Sequence, residues 1–268
     1  GRVLRIAIAQ ISAGADPGRN ADRVEEIIRG ARGADLVIFP EYSLGARIED
    51  SDRLAEPLDG PLIGRLASAA AEAGTLVIMG ILERAEGGPF NSIVALGGGE
   101  AIVVHRKAIL FDALGSAESR YVRPGDMPLT LMEIGEFTAG FATCFELRFP
   151  EIFRSLAAAG ADLFIVPSAW YAGPLKEEQW VISAAARAME NTSYLAAADM
   201  YGHAFIGRSL IVDPWGHVEL DLGSGERVAQ WALDRGAVDE ARSRLPLLEM
   251  SRRLRSRELP VRRIRAPG

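Results

Sequence analysis

Gly33-Ala34-Asp35-Leu36-Val37-Ile38-Phe39-Pro40 recurs, with two apolar exchanges, as Gly160-Ala161-Asp162-Leu163-Phe164-Ile165-Val166-Pro167. Each copy reads as a helix end, a Gly-Ala-Asp turn, a short apolar strand, a proline that stops it and a polar loop. Two similar α–β halves facing each other would account for the repeat. Both post-proline loops would then lie at the C-terminal ends of strands, where open α/β sheets place their ligands. A common helix–Gly–Asp–strand connection used twice by coincidence would account for it as well.

Outward from the first copy, residues 3–11 carry apolar side chains on both phases, the pattern of a strand covered on both faces. Val24, Ile27 and Ile28 recur at helical spacing behind Asn20, which reads as the helix cap, and this helix ends at Gly30 or Gly33. A second helix fits 62–73 and a β-branched strand 75–83. Further strands fit 92–96, 101–106, 129–134 and 137–143, helices fit 150–159 and 176–190, and late strands fit 194–198, 209–212 and 228–233. Strands interspersed with helices predict α/β layering. No linker or low-complexity segment divides the chain early, so residues 1–241 read as one domain and 242–268 as a tail.

That tail is basic. It holds nine arginines against Glu249 and Glu258, a charge of +7, so the net −6 of the chain leaves −13 on residues 1–241. An acidic body argues against nucleic acid as a partner. The 268 residues are 49% hydrophobic and 25% charged, a globular composition that excludes disorder throughout. No apolar run nears the roughly 20 residues of a membrane span, and Arg2-Val3-Leu4-Arg5-Ile6 is not the apolar core of a signal peptide. No membrane partner and a cytoplasmic location are expected. The single cysteine, Cys144, can neither close an intramolecular disulfide nor build a cysteine zinc site, and His105, His203 and His217 form no His-x-x-x-His pair. No metal is expected.

A lone thiol is most often an inert core residue. Cys144, however, closes an apolar strand, has Glu146 and Arg148 beside it, and precedes Pro150, which suits the first turn of a helix. A thiol there sits at the functional edge of a sheet, where positive charge would favour its thiolate. A thiol hydrolase also needs a base and a group to stabilise the oxyanion. His105 lies in a neighbouring strand, so a Cys/His hydrolase is one reading. Lys107, two residues on, shares its face with His105. By itself it is a solvated charge at a strand end, and Glu41 by itself is a loop carboxylate.

Together, Phe39-Pro40-Glu41, His105-Arg106-Lys107 and Thr143-Cys144-Phe145-Glu146-Leu147-Arg148-Phe149-Pro150-Glu151 resemble, in order and context, the three signature segments of the nitrilase superfamily of carbon–nitrogen hydrolases. The resemblance extends from Ala7-x-Ala9-Gln10 through Pro167-Ser168-Ala169-Trp170 and Ala186-Arg187-Ala188-x-Glu190-Asn191 to Gly207-x-Ser209-x-Ile211-x-Asp213-Pro214-x-Gly216. It implies a four-layer α-β-β-α sandwich and a catalytic triad of Glu41, Lys107 and Cys144. The family's second glutamate matches Glu118, and the backbone N–H of Phe145 would join Lys107 around the oxyanion. In that chemistry Glu41 takes the thiol proton, the thiolate attacks an amide carbonyl, ammonia leaves, and water releases the acid from a thioester, with no cofactor. The resemblance also makes Trp170 a pocket wall, and Tyr171 beside it a second substrate contact. Arg148 would pair with a substrate carboxylate, with Glu151 or with Asp162.

Cys144-Phe145-Glu146 stands where many amidases of the superfamily carry Cys-Tyr-Asp and nitrilases Cys-Trp-Glu, while the length of the chain favours the amidase branch. The expected substrate is a small linear amide, with ω-amides of carboxylic acids included. N-carbamoyl and nitrile hydrolysis are the alternatives within the superfamily. A His-assisted thiol hydrolase and a non-enzymatic binding protein are those outside it, and an active His105→Asn variant would dismiss the first. In the tail, Leu245, Leu247, Leu248, Leu254, Leu259, Val261 and Ile264 alternate with the arginines and need a surface to cover. The resemblance implies dimers in which the C-terminal segment reaches the partner, so a homodimer is expected in preference to nucleic-acid binding or a solvated tail.

Overall fold

The computed structural model describes residues 2–255 and 258–267; Arg257 and Gly268 of the basic tail lie outside the described residues. The first half of the chain forms β1 (Val3–Gln10), α1 (Pro17–Gly30), β2 (Leu36–Ile38), the single turn α2 (Ser51–Leu54), α3 (Pro61–Ala73), β3 (Leu76–Glu83), β4 (Phe90–Gly97) and β5 (Glu100–Arg106). The second half forms β6 (Leu131–Ile134), β7 (Phe137–Phe141), α4 (Pro150–Ala158), β8 (Leu163–Ile165), α5 (Lys176–Asn191) and β9 (Tyr194–Ala197). It continues through a small hairpin, β10 (Tyr201–Gly202) and β11 (Phe205–Ile206), to β12 (Leu210–Val212) and β13 (Val218–Asp221). Then follow β14 (Arg227–Asp234), α6 (Arg235–Arg244) and α7 (Leu247–Arg255).

Two six-stranded sheets result, in the orders β14-β1-β2-β3-β4-β5 and β13-β12-β9-β8-β7-β6. Each has a parallel centre, β1-β2-β3 in one and β7-β8-β9 in the other. Each centre continues into two antiparallel strands, β4-β5 or β12-β13, and carries an antiparallel strand on its other edge, β14 or β6. The repeated phrase is the middle of both sheets, since β2 and β8 are its two copies. The choice that the sequence leaves open is thereby settled in favour of two similar α–β halves.

Alternation along the short central strands assigns the layers. Leu36 and Ile38 of β2 join Ile6, Ile8 and Ile78 on the inner face of the first sheet, against Phe137, Phe141, Leu163, Ile165 and Ala196 of the second. Val37 points the other way, into Val24, Ile28, Leu66 and Ala70 of α1 and α3. On the far side, Phe164 of β8 meets Phe153 of α4 edge-on at 5.1 Å between ring centroids, and Trp180 and Ala184 of α5 complete that layer. Burying each such aromatic or aliphatic side chain contributes about 1.5–3 kcal/mol. The architecture is the expected four-layer α-β-β-α sandwich.

Several local details differ from the sequence-based expectation. Helix α1 starts at Pro17, capped by Asp16, whose side chain accepts from the Gly18 N–H, because proline already holds the backbone angle of a first helical turn. Asn20 lies inside that turn, and its amide group bridges Gly14 and the Leu44 carbonyl. Strand β13, the β10–β11 hairpin and two helices near the C-terminus were not expected. Helix α6 buries Val238 and Ala241 and is capped by Asp234. The Arg242 guanidinium donates to the carbonyls of Ala161 and Thr192 in the body, and α7 lies against α4 and α5. No helix among the described residues is long and apolar enough to cross a membrane.

Candidate active site

The repeat places its two post-proline loops against each other. The Glu41 N–H donates to the Ser168 carbonyl at 3.3 Å, and the Ala169 N–H donates to Glu41 Oε1 at 2.9 Å. Sheet geometry makes room for this: a Cβ on Gly80 of β3 would stand 2.5 Å from the Glu41 Cα. Only glycine lets the neighbouring backbone approach so closely.

Lys107 follows β5 directly, and its ammonium, 2% exposed, lies 3.0 Å from Glu41 Oε2 and 2.9 Å from Glu118 Oε1. Asn91 of β4 donates to both carboxylates, at 2.6 Å to Glu41 and 2.9 Å to Glu118. Glu118 also accepts the Phe111 N–H and the Tyr42 hydroxyl. Cys144 opens a 3-10 turn, Cys144–Arg148, between β7 and α4, with φ at +46°. A non-glycine residue in that left-handed region costs about 1–3 kcal/mol and persists only where the surroundings over-determine it. Here the Cys144 N–H is tied to the Pro167 carbonyl at 3.1 Å, the last residue of the second repeat. Phe145 comes next, in the part of the turn where backbone N–H groups have no partner within it.

Cys144, Glu41, Lys107 and Glu118 line one pocket. Phe145, Arg148, Trp170, Tyr171 and Lys176 line its walls. Trp170 is fixed at both ends, its backbone N–H donating to Asp199 and its indole N–H to the Lys176 carbonyl, each at 2.8 Å. Tyr171 packs between Phe111 and Phe205. Every site residue expected from sequence is therefore brought to one place. Arg148 takes neither of the protein partners open to it, since Asp162 pairs with Arg235 and no ion pair joins Arg148 to Glu151 among the described residues. His105 goes elsewhere: its Nε2 is hydrogen-bonded to Glu146 at 2.7 Å, and it does not line the pocket.

Charge is distributed unevenly between the two carboxylates. Burial raises the Glu41 carboxyl above its ordinary range, and the Glu118 charge adds to this against the opposing pull of Lys107 and Asn91. Burial acts on Glu118 in the same sense, but Lys107, the Phe111 N–H and the Tyr42 hydroxyl outweigh it and hold this carboxyl below the usual range. Burial works against the Lys107 ammonium, yet the two carboxylates keep it firmly protonated. Burial, followed by Glu41, pushes the Cys144 thiol well up, with Lys107 pulling the other way. Burial and neighbours thus favour a neutral thiol, an ammonium on Lys107 and a carboxylate on Glu118, and make Glu41 the harder of the two carboxyls to ionise.

Sequence reasoning missed Tyr42, Asn91, Phe111 and Lys176. Tyr42 adjoins Glu41 and could have been flagged by position; Asn91 and Phe111 carry no local signal, because only the pairing of β4 with β5 and the path of the following loop bring them in. No group of three or more His, Cys, Asp or Glu placed to hold a metal ion occurs among the described residues.

A profile of the carbon-nitrogen hydrolase family matches residues 5–243. A deaminated glutathione amidase from Escherichia coli O157:H7 is 31% identical over 255 residues, covering 93% of this chain and 97% of the relative. Among solved structures, a CN-hydrolase superfamily protein from Xanthomonas campestris, bearing an arsenic adduct in its active site, matches with a TM-score of 0.85 and 26% identity over 93% of this chain and 97% of that one. An amidase from Nesterenkonia sp. matches with a TM-score of 0.78 and 26% identity over 91% and 95%. A variant of the amidase from Nesterenkonia sp. AN1 shows acrylamide added at its active site cysteine.

Proposed function

Because the chain belongs to the carbon-nitrogen hydrolase family, within the nitrilase superfamily, and so hydrolyses carbon–nitrogen bonds other than peptide bonds, we propose that it is a thiol amidase acting on a small linear amide through a thioester of Cys144. The observation that carries this reading is the buried ammonium of Lys107 set between Glu41 and Glu118, beside the chain's one thiol. Glu41, raised by burial, takes the Cys144 proton as the sulfur attacks the amide carbonyl carbon. The oxygen gains charge next to the Lys107 ammonium and the Phe145 N–H, donors already in place before the reaction. The C–N bond breaks as Glu41 returns the proton to the departing nitrogen, leaving the acyl group on sulfur. Glu41 then takes a proton from water as the water oxygen attacks the thioester, the C–S bond breaks, and Glu41 returns that proton to the departing sulfur, so the acid leaves with the thiol restored. Glu118 keeps its charge throughout and holds Lys107 in position.

Arg148 and Lys176 favour an amide that carries a carboxylate, such as an ω-amide. Lys176 is buried between Phe111 and Trp170, Arg148 lies over the Trp170 ring, and one guanidinium nitrogen of Arg148 is buried without a hydrogen-bond partner. Neither cation makes an ion pair among the described residues, and burial together with Arg148 lowers the Lys176 ammonium from its ordinary value. A substrate carboxylate would relieve both. The active assembly in this reading is a homodimer.

The test is an acid-release screen over short neutral amides, ω-amides of dicarboxylates, N-carbamoyl amino acids, nitriles and deaminated glutathione. Turnover is expected on amides, best on those with a carboxylate, with an acyl-enzyme mass adduct on a slow substrate. Cys144→Ala should lose roughly 10³-fold or more of kcat while remaining folded. Near wild-type turnover by that variant would overturn the mechanism.

A further inference from the structure

The nucleophile and the ammonium come from different sheets, and a residue outside the triad spans them. Glu146, fully buried, stands two positions after Cys144 in the 3-10 turn. Its Oε1 accepts the Thr143 N–H at 2.9 Å and His105 Nε2 at 2.7 Å. Its Oε2 accepts the N–H groups of Ala108 at 2.9 Å and Ile109 at 3.3 Å, the two residues after Lys107. One carboxylate thus receives donors from the residue before Cys144, from the residues after Lys107, and from the strand β5 that delivers Lys107.

We infer that Glu146 is a positioning residue that sets the separation between the Cys144 sulfur and the Lys107 ammonium, with His105 holding it in place. Three features support this role. All four donors point inward, so a group that also donates must face at least one of them with like polarity. The carboxylate spans the gap between β5 and the turn after β7, which no backbone ladder crosses, because the two strands lie in different sheets. The Cys144 backbone it braces is in the left-handed region and relaxes if its supports go. Burial works against the Glu146 charge, but His105 and the N–H groups of Thr143 and Ala108 outweigh it and hold the carboxyl below its usual range. The role of His105 is accordingly to support the site through Glu146. The His105→Asn variant therefore does not cleanly separate triad chemistry from a His-assisted hydrolase.

The kinetic part of the test rests on the amidase reading, but the alkylation part does not, because Cys144 is the only thiol and its reaction with iodoacetamide is read by intact mass without any amide substrate. In Glu146→Gln the Lys107 ammonium moves off the sulfur, so the pH profile of alkylation should shift to higher pH. kcat should fall by about 10²-fold, the scale of a misplacement of about 1 Å, with KM changed less than about threefold. His105→Gln, which keeps a donor near the place of Nε2, should follow the wild-type alkylation profile, whereas His105→Phe should follow Glu146→Gln. A lowered melting temperature in Glu146→Gln with an unmoved alkylation profile would overturn the inference. If Glu146→Gln does not fold, the His105 pair decides: identical profiles for His105→Gln and His105→Phe overturn it. An alkylation shift without measurable amide turnover would support the bridge while removing the amidase reading.

Discussion

Glu41 and Glu118 share one ammonium and one asparagine, yet they are pushed in opposite directions, and the difference lies in their remaining contacts. Each accepts one backbone N–H, from Ala169 to Glu41 and from Phe111 to Glu118, but Glu118 also accepts the Tyr42 hydroxyl, which stabilises its charge, while Glu41 faces the thiol and has the negative Glu118 nearby. In the proposed mechanism the base is therefore the carboxylate that is harder to ionise. The acidic limb of kcat/KM should lie above the ordinary carboxylate range of about 4. Replacing Glu118 by Gln removes a negative charge that raises Glu41, so Glu41 ionises at lower pH and the acidic limb should move to lower pH, with kcat reduced as Lys107 loses a partner. A pH–rate profile of both proteins checks this. A limb that stays put or moves to higher pH would mean that another group sets it.

At the level of elements, the site depends on how closely the strands approach. Gly80 in β3 faces the Glu41 backbone, where an added Cβ would meet Cα at 2.5 Å and the Pro40 carbonyl at 2.8 Å. Gly80→Ala must therefore displace the loop that carries Glu41, and kcat should fall by about tenfold or more through misorientation of the base. Gly64, inside α3, has nothing within 4 Å of its would-be Cβ. Gly64→Ala should leave kinetics untouched and stabilise the fold by about 0.5–1 kcal/mol, since glycine is costly within a helix. Steady-state kinetics and calorimetry on the two variants separate the effects; equal kinetics in both would show that the clearance at Gly80 has no bearing on Glu41.

On the scale of the whole molecule, the surface is divided between an acidic body and a basic C-terminal segment whose outermost apolar side chains remain exposed. Helix α7 is docked on its own subunit, and beyond it Leu259, Val261 and Ile264 are exposed, Val261 at 94%. A second copy of the chain suits this arm: its apolar residues gain cover and its arginines meet carboxylates of the −13 body. Sedimentation of the full chain should show a dimer, and a chain ending at Arg255, which keeps α7 in place, should dissociate at higher concentration. An unchanged dimer after that truncation would show that the arm does not hold the assembly together.

The sequence alone determined the α/β class and the two copies of the Gly-Ala-Asp-strand-proline phrase, a local instruction whose alternation assigns each residue to a face, and its family resemblance implied the four layers; that the two copies are the centres of two facing sheets was decided by the tertiary structure. The sequence also pointed to Glu41, Lys107 and Cys144 as the candidate site residues, since each follows a strand end and sits in ordered segments that resemble the family's. The C-terminal helices were hidden in it, because their arginine-rich surfaces leave only a thin apolar stripe. What tertiary structure alone decided is the state of those residues. Burial and neighbours drawn from separate sheets raise the carboxyl of Glu41 and hold that of Glu118 low. Pairing of β4 with β5 brings in Asn91, and Glu146 joins the two sheets through contacts separated by 37 to 41 positions along the chain. Such contacts depend on how the layers meet, and no local pattern of residues encodes that distance.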